Sequence, residues 1–416
     1  MRFLRTLTAA PRRETERPPG TTPRRGRSAL LIPAYPGQPT VAELEGLAAA
    51  GKRPRKDYVE LARALQADVV DFDFMQRRAI PLARLVARRA GPIAGQICEA
   101  SLRRPAPRHV CAWADRIGLP LALLHKLTRT RRDLVLVSAW LSIPKKAVFL
   151  DRFRVHTHLG AIINYSSVQM TIAARELGVP EGKLHLAKQP VDDRFWRPQP
   201  IPSEPLLLAV GWEARDYPTL IRAIEDLPLQ VHIAVGNAGL SSSKLETSSG
   251  GGEPGAAARP DPPRRFGVMK GTFSYEFYER WMDQVAEEGL PANVTISQQL
   301  GAEELRALYA RSRFVVIPLL DVDSDCGVTS ITEAMAMGKA VILSRTRGQV
   351  DIIRDGEHGI YVPPGDAVAL RKAIEHLESH PEEAERMGRA GREEVERQYA
   401  LDGYVARVAE IIKGAT

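Results

Sequence analysis

Short, continuous apolar runs recur along the chain, and helical spacing fills the intervals between them. Residues 28–32, 68–72, 133–137 and 161–165 read as strands, with helices over 56–65 and 167–177, the second stopped at Gly178. A proline-rich linker follows at 198–205, and then the pattern restarts. Strands are expected at 206–210, 231–235, 293–296, 314–318 and 340–343, and helices at 217–227, 275–288, 302–310 and 330–337. A strand that is apolar at every position buries both of its faces. That calls for a parallel sheet with helices on either side. The chain is therefore expected to be α/β, with two Rossmann-like domains facing across a cleft, over residues 28–200 and 201–398. Residues 241–265, almost all Ser, Gly, Pro, Ala and charge, read as a flexible insertion, and 399–416 as a helix packing back on the first domain. Ligands of such sheets sit beyond the C-terminal strand ends, so the cleft is the place to look for function.

A length of 416 residues, with 44% apolar and 26% charged, is enough to bury a core in each half and excludes a disordered or fibrous chain. No run approaches the roughly 18 apolar residues of a membrane span. Cys98, Cys111 and Cys326 share no CxxC spacing and could form at most one disulfide. This argues against a secreted disulfide scaffold or a structural zinc site and fits a reducing cytoplasm. The net charge of +8 is uneven: residues 1–27 carry +6 and residues 76–132 carry +11, leaving the rest mildly acidic. The first segment reads as a disordered basic tail, because its apolar run is too short for a secretory signal. The second alternates arginine pairs with apolar stretches. Two readings stay open for it: amphipathic helices with solvated charged faces, or peripheral contact with an anionic membrane. Sparse aromatics argue against nucleic acid.

The densest chemistry lies in the stretch from Phe314 to Ala340. A buried strand runs into an acidic loop (Asp321, Asp323, Asp325), then Gly327, then a helix carrying Glu333. A helix N-terminus offers unpaired amides and a partial positive charge to an anion. Gly327 lets a phosphate approach the backbone, and Glu333 can accept hydrogen bonds from ligand hydroxyls.

Asp325-x7-Glu333 followed by Ala-Met-Ala-Met-Gly-Lys-Ala-Val-Ile resembles the E-x7-E signature of family 4 retaining glycosyltransferases of the GT-B fold. The segment from Gly356-Glu-His-Gly359 to Pro-Pro-Gly365-Asp366 is similar to that family's DGxxGxLVPPGD. Asn164-Tyr-Ser-Ser-Val, Val191-Asp-Asp-Arg-Phe-Trp-Arg-Pro and Val210-Gly211-Trp-Glu-Ala-Arg215-Asp resemble further landmarks of it. The likeness covers residues 160–415. It implies a hexosyltransferase using a nucleotide-sugar donor, UDP- or GDP-linked, without metal, and a sugar, lipid or small-molecule acceptor. It places Glu333 on the ribose and Asp325 on the sugar hydroxyls. Gly211 lies in the donor turn, Arg215 on the diphosphate, and Gly327 and Val328 offer backbone amides.

Two departures stand out. Trp212 replaces an arginine that contacts phosphate, and Asp325 is one methylene shorter than the family's glutamate. They keep a second reading open, a catalytically inactive scaffold or a nucleotide-sugar binding protein. Asp321-x-Asp323 and Asp323-x-Asp325 also read as metal-binding DxD, but the helix and Gly-Lys that follow belong to the metal-independent pattern. No GxGxxG, P-loop or G-x-S-x-G elbow is present. His156, in His156-Thr-His158, is a candidate catalytic imidazole. Gly37 and Ser138, each after a strand, are candidates for the acceptor side, together with Trp140.

Overall fold

The computed structural model describes residues 28–31, 39–130, 133–236, 273–298 and 300–415. The basic tail, Gly37 and the 241–265 insertion lie outside the described residues.

Two six-stranded sheets, parallel throughout, form the framework. The first contains β1 (Ala29–Leu31), β2 (Asp68–Val70), β3 (Val110–Ala112), β4 (Leu134–Ser138), β5 (Ala161–Asn164) and β6 (Leu184–Leu186), in the order β2-β1-β3-β4-β5-β6. The second contains β7 (Leu206–Val210), β8 (Gln230–Val235), β9 (Val294–Gln298), β10 (Phe314–Ile317), β11 (Val341–Ser344) and β12 (Gly359–Val362), in the order β12-β11-β10-β7-β8-β9. Both are Rossmann-like, as the strand pattern led one to expect.

The apolar runs divide by parity. In the first sheet Val110, Ala112, Leu134, Leu136 and Ile162 pack on one face. Cys111, Val135, Val137, Ala161 and Ile163 pack on the other. The second sheet repeats this, with Leu207, Ala209, Phe314 and Val316 on one side and Leu208, Val210, Val315 and Ile317 on the other. Period-2 geometry sends neighbours to opposite faces, so a strand covered on both sides is apolar at every position.

The cover on one face of the first sheet comes from far along the chain. Helix Leu401–Gly414 inserts Leu401, Tyr404, Val408 and Ile412 against Leu61 of helix Asp57–Leu65 and against the sheet. Val408 and Ile412 are fully buried, which stabilises the packing by about 1.5–3 kcal/mol each. The two strands of chain that pass between the domains bond to each other, Val191 N–H to the Tyr399 carbonyl (2.9 Å) and Leu401 N–H to the Val191 carbonyl (3.1 Å). Arg55 locks this crossing by ion pairs with Asp192 and Asp402, both at 2.7 Å.

The structure differs from the sequence reading at several elements. Residue 72, expected to end a strand, begins helix Phe72–Arg77, because Asp71 caps it by accepting from the Phe74 amide at 2.9 Å. The basic segment, read as helical, contains β3 between helices Pro92–Leu102 and Asp115–Leu127. All three cysteines are free thiols.

Candidate active site

The strand order of the second sheet reverses between β7 and β10, and the crevice beyond such a reversal is where an open parallel sheet receives ligands. The segments leaving these two strands meet through a bridge pairing Arg215 with Leu319. A cleft of about 180 Å³ opens there between the domains. Trp140 and Tyr165 line it from the N-terminal domain, and Trp212, Arg215, Asp325 and Gly327 from the C-terminal one.

Arg215 is 5% exposed. Its guanidinium donates to the carbonyls of Val210 and Glu213, both at 2.7 Å, and to Ser330 Oγ at 3.1 Å. Among the described residues it forms no ion pair. A buried cation held rigidly without a bonded carboxylate is suited to an incoming anion. Gly211 makes the placement possible. Its φ is +103°, and a Cβ built there would lie 2.1 Å from Arg215 Nη2. Gly327, at φ +89°, caps helix Val328–Ala336 and sets the positive end of that helix against the same guanidinium. The amides of Gly327, Thr329 and Ser330 have no acceptor among the described residues. Val328 departs from the expectation: its amide donates to the Asp325 carbonyl at 3.2 Å and is already engaged.

Glu333 lies six residues beyond Gly327, about 9 Å along the helix axis. Its Oε2 accepts from the Tyr309 hydroxyl at 3.2 Å. Burial pushes its carboxyl up to about 8, against the opposing pull of that hydrogen bond and of Lys56. Burial likewise raises Asp325 to about 6, helped by Glu213 and Asp351 nearby. Glu333, protonated near neutrality, can exchange hydrogen bonds with hydroxyls without bringing full charge next to an anion, whereas Asp325 gives up its proton about two pH units lower.

The three loop aspartates take separate partners. Asp321 accepts from the Arg347 amide at 3.0 Å, Asp323 Oδ2 accepts from Ser142 Oγ at 3.0 Å, and Asp325 lines the cleft. Asp323 thereby joins a clasp between the domains. Gln169, fully buried, accepts from the amides of Leu141 and Ser142 and donates to the Asp323 carbonyl at 3.1 Å. A second clasp pairs Asp351 with the amide and hydroxyl of Ser167, at 2.9 and 2.8 Å. Neither clasp is legible in the sequence, since Ser142, Gln169 and Asp351 carry no local motif of their own.

The remaining candidates separate. Ser138 ends β4 beside the cleft, with its carbonyl accepting from Asn164 Nδ2 at 2.6 Å, but its hydroxyl is buried and faces no partner among the described residues. His156 does not join the site. It lies in the turn Val155–His158 before β5, whereas the cleft is beyond the C-terminal end of that strand, roughly 13 Å away. Its carbonyl accepts from Lys183 Nζ at 2.9 Å, and burial together with Lys183, Arg154 and Lys126 holds its imidazole below the usual histidine range. Sequence order places a residue near a strand, but only strand direction says which end it occupies.

Residues 267–394 match the family model described as Glycosyl transferases group 1. The chain is 31% identical over 105 residues to the putative glycosyltransferase EpsD of Bacillus subtilis, covering 24% of this chain and 28% of that protein. It is 30% identical over 149 residues to the GDP-mannose-dependent alpha-(1-6)-phosphatidylinositol monomannoside mannosyltransferase of Mycolicibacterium smegmatis, covering 33% and 37%. The matches thus span between a quarter and two fifths of these relatives. Among solved structures, sucrose-phosphate synthase from Thermosynechococcus elongatus superposes with a TM-score of 0.63 at 18% identity, covering 93% of this chain and 98% of that one. Anabaena HepE in complex with UDP and glucose gives 0.62 at 14% identity, covering 93% and 99%. The fold is GT-B.

Proposed function

We propose that the chain is a glycosyltransferase that moves a hexose from a UDP- or GDP-linked donor to a sugar, lipid or small-molecule acceptor, retaining the anomeric configuration and using no metal. The observation that carries this reading is the buried Arg215, without a bonded counter-ion, at the N-terminus of the helix that bears Glu333. In this reading Arg215 and the first-turn amides hold the diphosphate and stabilise the charge that develops as it leaves. Glu333 accepts from the ribose and Asp325 from the hexose. With no side-chain nucleophile assigned, the donor phosphate takes the acceptor proton as the new glycosidic bond forms on the face that the leaving group departs. The clasps at Asp323 and Asp351 keep the domains closed, so water is excluded from the donor. The family-model match over residues 267–394 and the partial similarity to named glycosyltransferases support the reading.

The test is a thermal-shift panel of UDP-, GDP- and ADP-sugars without added metal. One base is expected to stabilise the protein by about 2.7 kcal/mol when present at a hundred times its dissociation constant. Folded protein that shifts with none of them would favour a scaffold in which Trp212 has displaced the donor. An inverted product with the identified donor would overturn retention.

No helix among the described residues is long and apolar enough to cross a membrane. We propose that the basic segment instead contacts an anionic bilayer from outside. Helices Pro81–Ala90 and Pro92–Leu102 expose Leu82, Leu85 and Leu102, each nearly half accessible, beside exposed Arg88, Arg89 and Arg104. Each cation near such a surface contributes about 1 kcal/mol. Binding to phosphatidylserine vesicles is expected at low salt and should be lost toward 1 M, where screening shortens to about 3 Å. Sedimentation that does not change with salt, or no binding at low salt, would remove the proposal.

A further inference from the structure

Three strands of the first sheet end at the cleft, and each delivers one side chain to its wall. Trp140 follows β4 by two residues, Tyr165 follows β5 directly, and Gln189 follows β6 by three. Trp140 is half-buried and is held from several directions. Its indole Nε1–H donates to Ser142 Oγ at 2.8 Å, and its carbonyl accepts from Lys146 Nζ at 2.8 Å. Lys146 is fixed in turn by Asp115 at 2.7 Å, and the amides of Leu141 and Ser142 donate to Gln169 Oε1. Ser142 Oγ donates its own proton to Asp323, so the indole hangs on a clasp that joins the two domains. The ring orientation is therefore set before a ligand arrives, which spares the entropy of ordering it on binding. The Gln189 amide has no hydrogen-bond partner among the described residues.

We infer that Trp140 is a stacking platform for the acceptor and that the acceptor presents a pyranose ring, with Gln189 bonding to its hydroxyls. The inference rests on the donor reading above and narrows its acceptor to a sugar. An aromatic face carries partial negative charge, and one face of a pyranose is a row of slightly positive C–H groups. The two stack with burial of apolar area. The hydroxyls then project from the ring edge, within reach of an amide that can both donate and accept. Position excludes the donor's base as the stacking partner. Trp140 lines the cleft with residues 324–330, at the Gly327 end of helix Val328–Ala336, whereas Glu333, on the ribose in that reading, lies about 9 Å further along. Charge disfavours an anionic lipid headgroup. Arg215 is the only cation among the described residues that line this cleft, where Glu213 and Asp325 supply the remaining charged groups. The donor diphosphate takes up that one cation, and Lys146 behind Trp140 is already paired with Asp115. A neutral ring meets no such repulsion.

The experiment is saturation-transfer NMR on protein loaded with UDP or GDP, whichever binds. The probes are the methyl pyranosides of glucose, galactose and mannose, with glycerol phosphate as a headgroup that lacks a ring. At least one pyranoside is expected to bind, with saturation concentrated on the C–H protons of one ring face, and glycerol phosphate is expected not to bind. Trp140→Ala should lose about 10-fold in affinity for that pyranoside. Trp140→Phe, which keeps a ring but not the bond to Ser142, should lose less. Equal affinity of wild type and Trp140→Ala for the pyranoside would overturn the platform and leave the donor reading intact. A parallel loss of diphosphate affinity in Trp140→Ala would also overturn it, by showing that the indole only supports the cleft. Asp325→Ala controls for the donor's own hexose site: a loss there as large as in Trp140→Ala would place the sugar on the donor side and defeat the assignment. Glycerol phosphate bound in place of every pyranoside, or no probe bound beside the diphosphate, would remove the sugar class. Wild type that binds neither UDP nor GDP would overturn both readings.

Discussion

Arg215→Met is expected to abolish the stabilisation of the protein by its nucleoside diphosphate while leaving the fold in place. The guanidinium ties together β7, the turn after it and the donor helix, through Val210, Glu213 and Ser330. Losing a preorganised charge-assisted donor of this kind costs about 10²- to 10³-fold. Two effects on stability oppose each other. Orphaning the buried Val210 carbonyl costs about 1–3 kcal/mol, but removing a buried cation with no carboxylate bonded to it relieves desolvation. The thermal midpoint of the ligand-free variant should therefore stay within about 5 °C of wild type. Arg215→Lys keeps the charge without the planar fork and should fall between the two. A diphosphate affinity unchanged in Arg215→Met would sink the anion site.

Glu333→Gln is expected to separate stability from binding in a pH-dependent way. The folded carboxyl keeps its proton up to about pH 8, whereas an unfolded glutamate releases it near 4.5. Between these values the folded state holds more protons, so this group lowers stability as pH rises through the window. Glutamine does not titrate. Wild type and variant should therefore unfold alike below about pH 4.5 and diverge upward. Near pH 8.5 the variant should be more stable by an amount on the order of 1–3 kcal/mol, which allows for solvent in the cleft. Nucleoside affinity should be alike in the two proteins below about pH 8 and fall by about 10-fold in the variant above it, where the ionised carboxylate offers two acceptor oxygens to ligand hydroxyls and the amide one. Chemical denaturation across pH checks the first half and calorimetry the second. Parallel stability curves for the two proteins would show that Glu333 is not held protonated.

Much of the C-terminal half is legible in its amino-acid sequence. The runs at β7 and β10 are apolar at every position because both faces are covered, and helix Val328–Ala336 announces itself through Gly327 and its buried face. Some strands are not legible, although β1 and β2, of three residues each, are. β3 is three residues, Val-Cys-Ala, between helices Pro92–Leu102 and Asp115–Leu127, and β12 opens on a glycine, so neither has enough periodicity to register. Glu333 stands out on the helix that follows Gly327, whereas Asp325, Gly211 and Arg215 are placed by the resemblance of their motifs to those of family 4 glycosyltransferases. His156 misleads because nearness in sequence to β5 does not say which end of the strand it occupies.

Local sequence determined that this chain builds two parallel sheets, where each turns, and which segment carries an anion-seeking helix terminus, since side-chain period and glycine conformation are properties of neighbouring residues. Tertiary structure alone decided the rest. It joined Ser142 and Gln169 to Asp323, and it paired Ser167 with Asp351, although 184 positions separate them. Such pairings depend on how two domains close over each other, which no window of sequence contains. Burial in the folded chain likewise withdraws Glu333 from water and so raises its carboxyl to about 8.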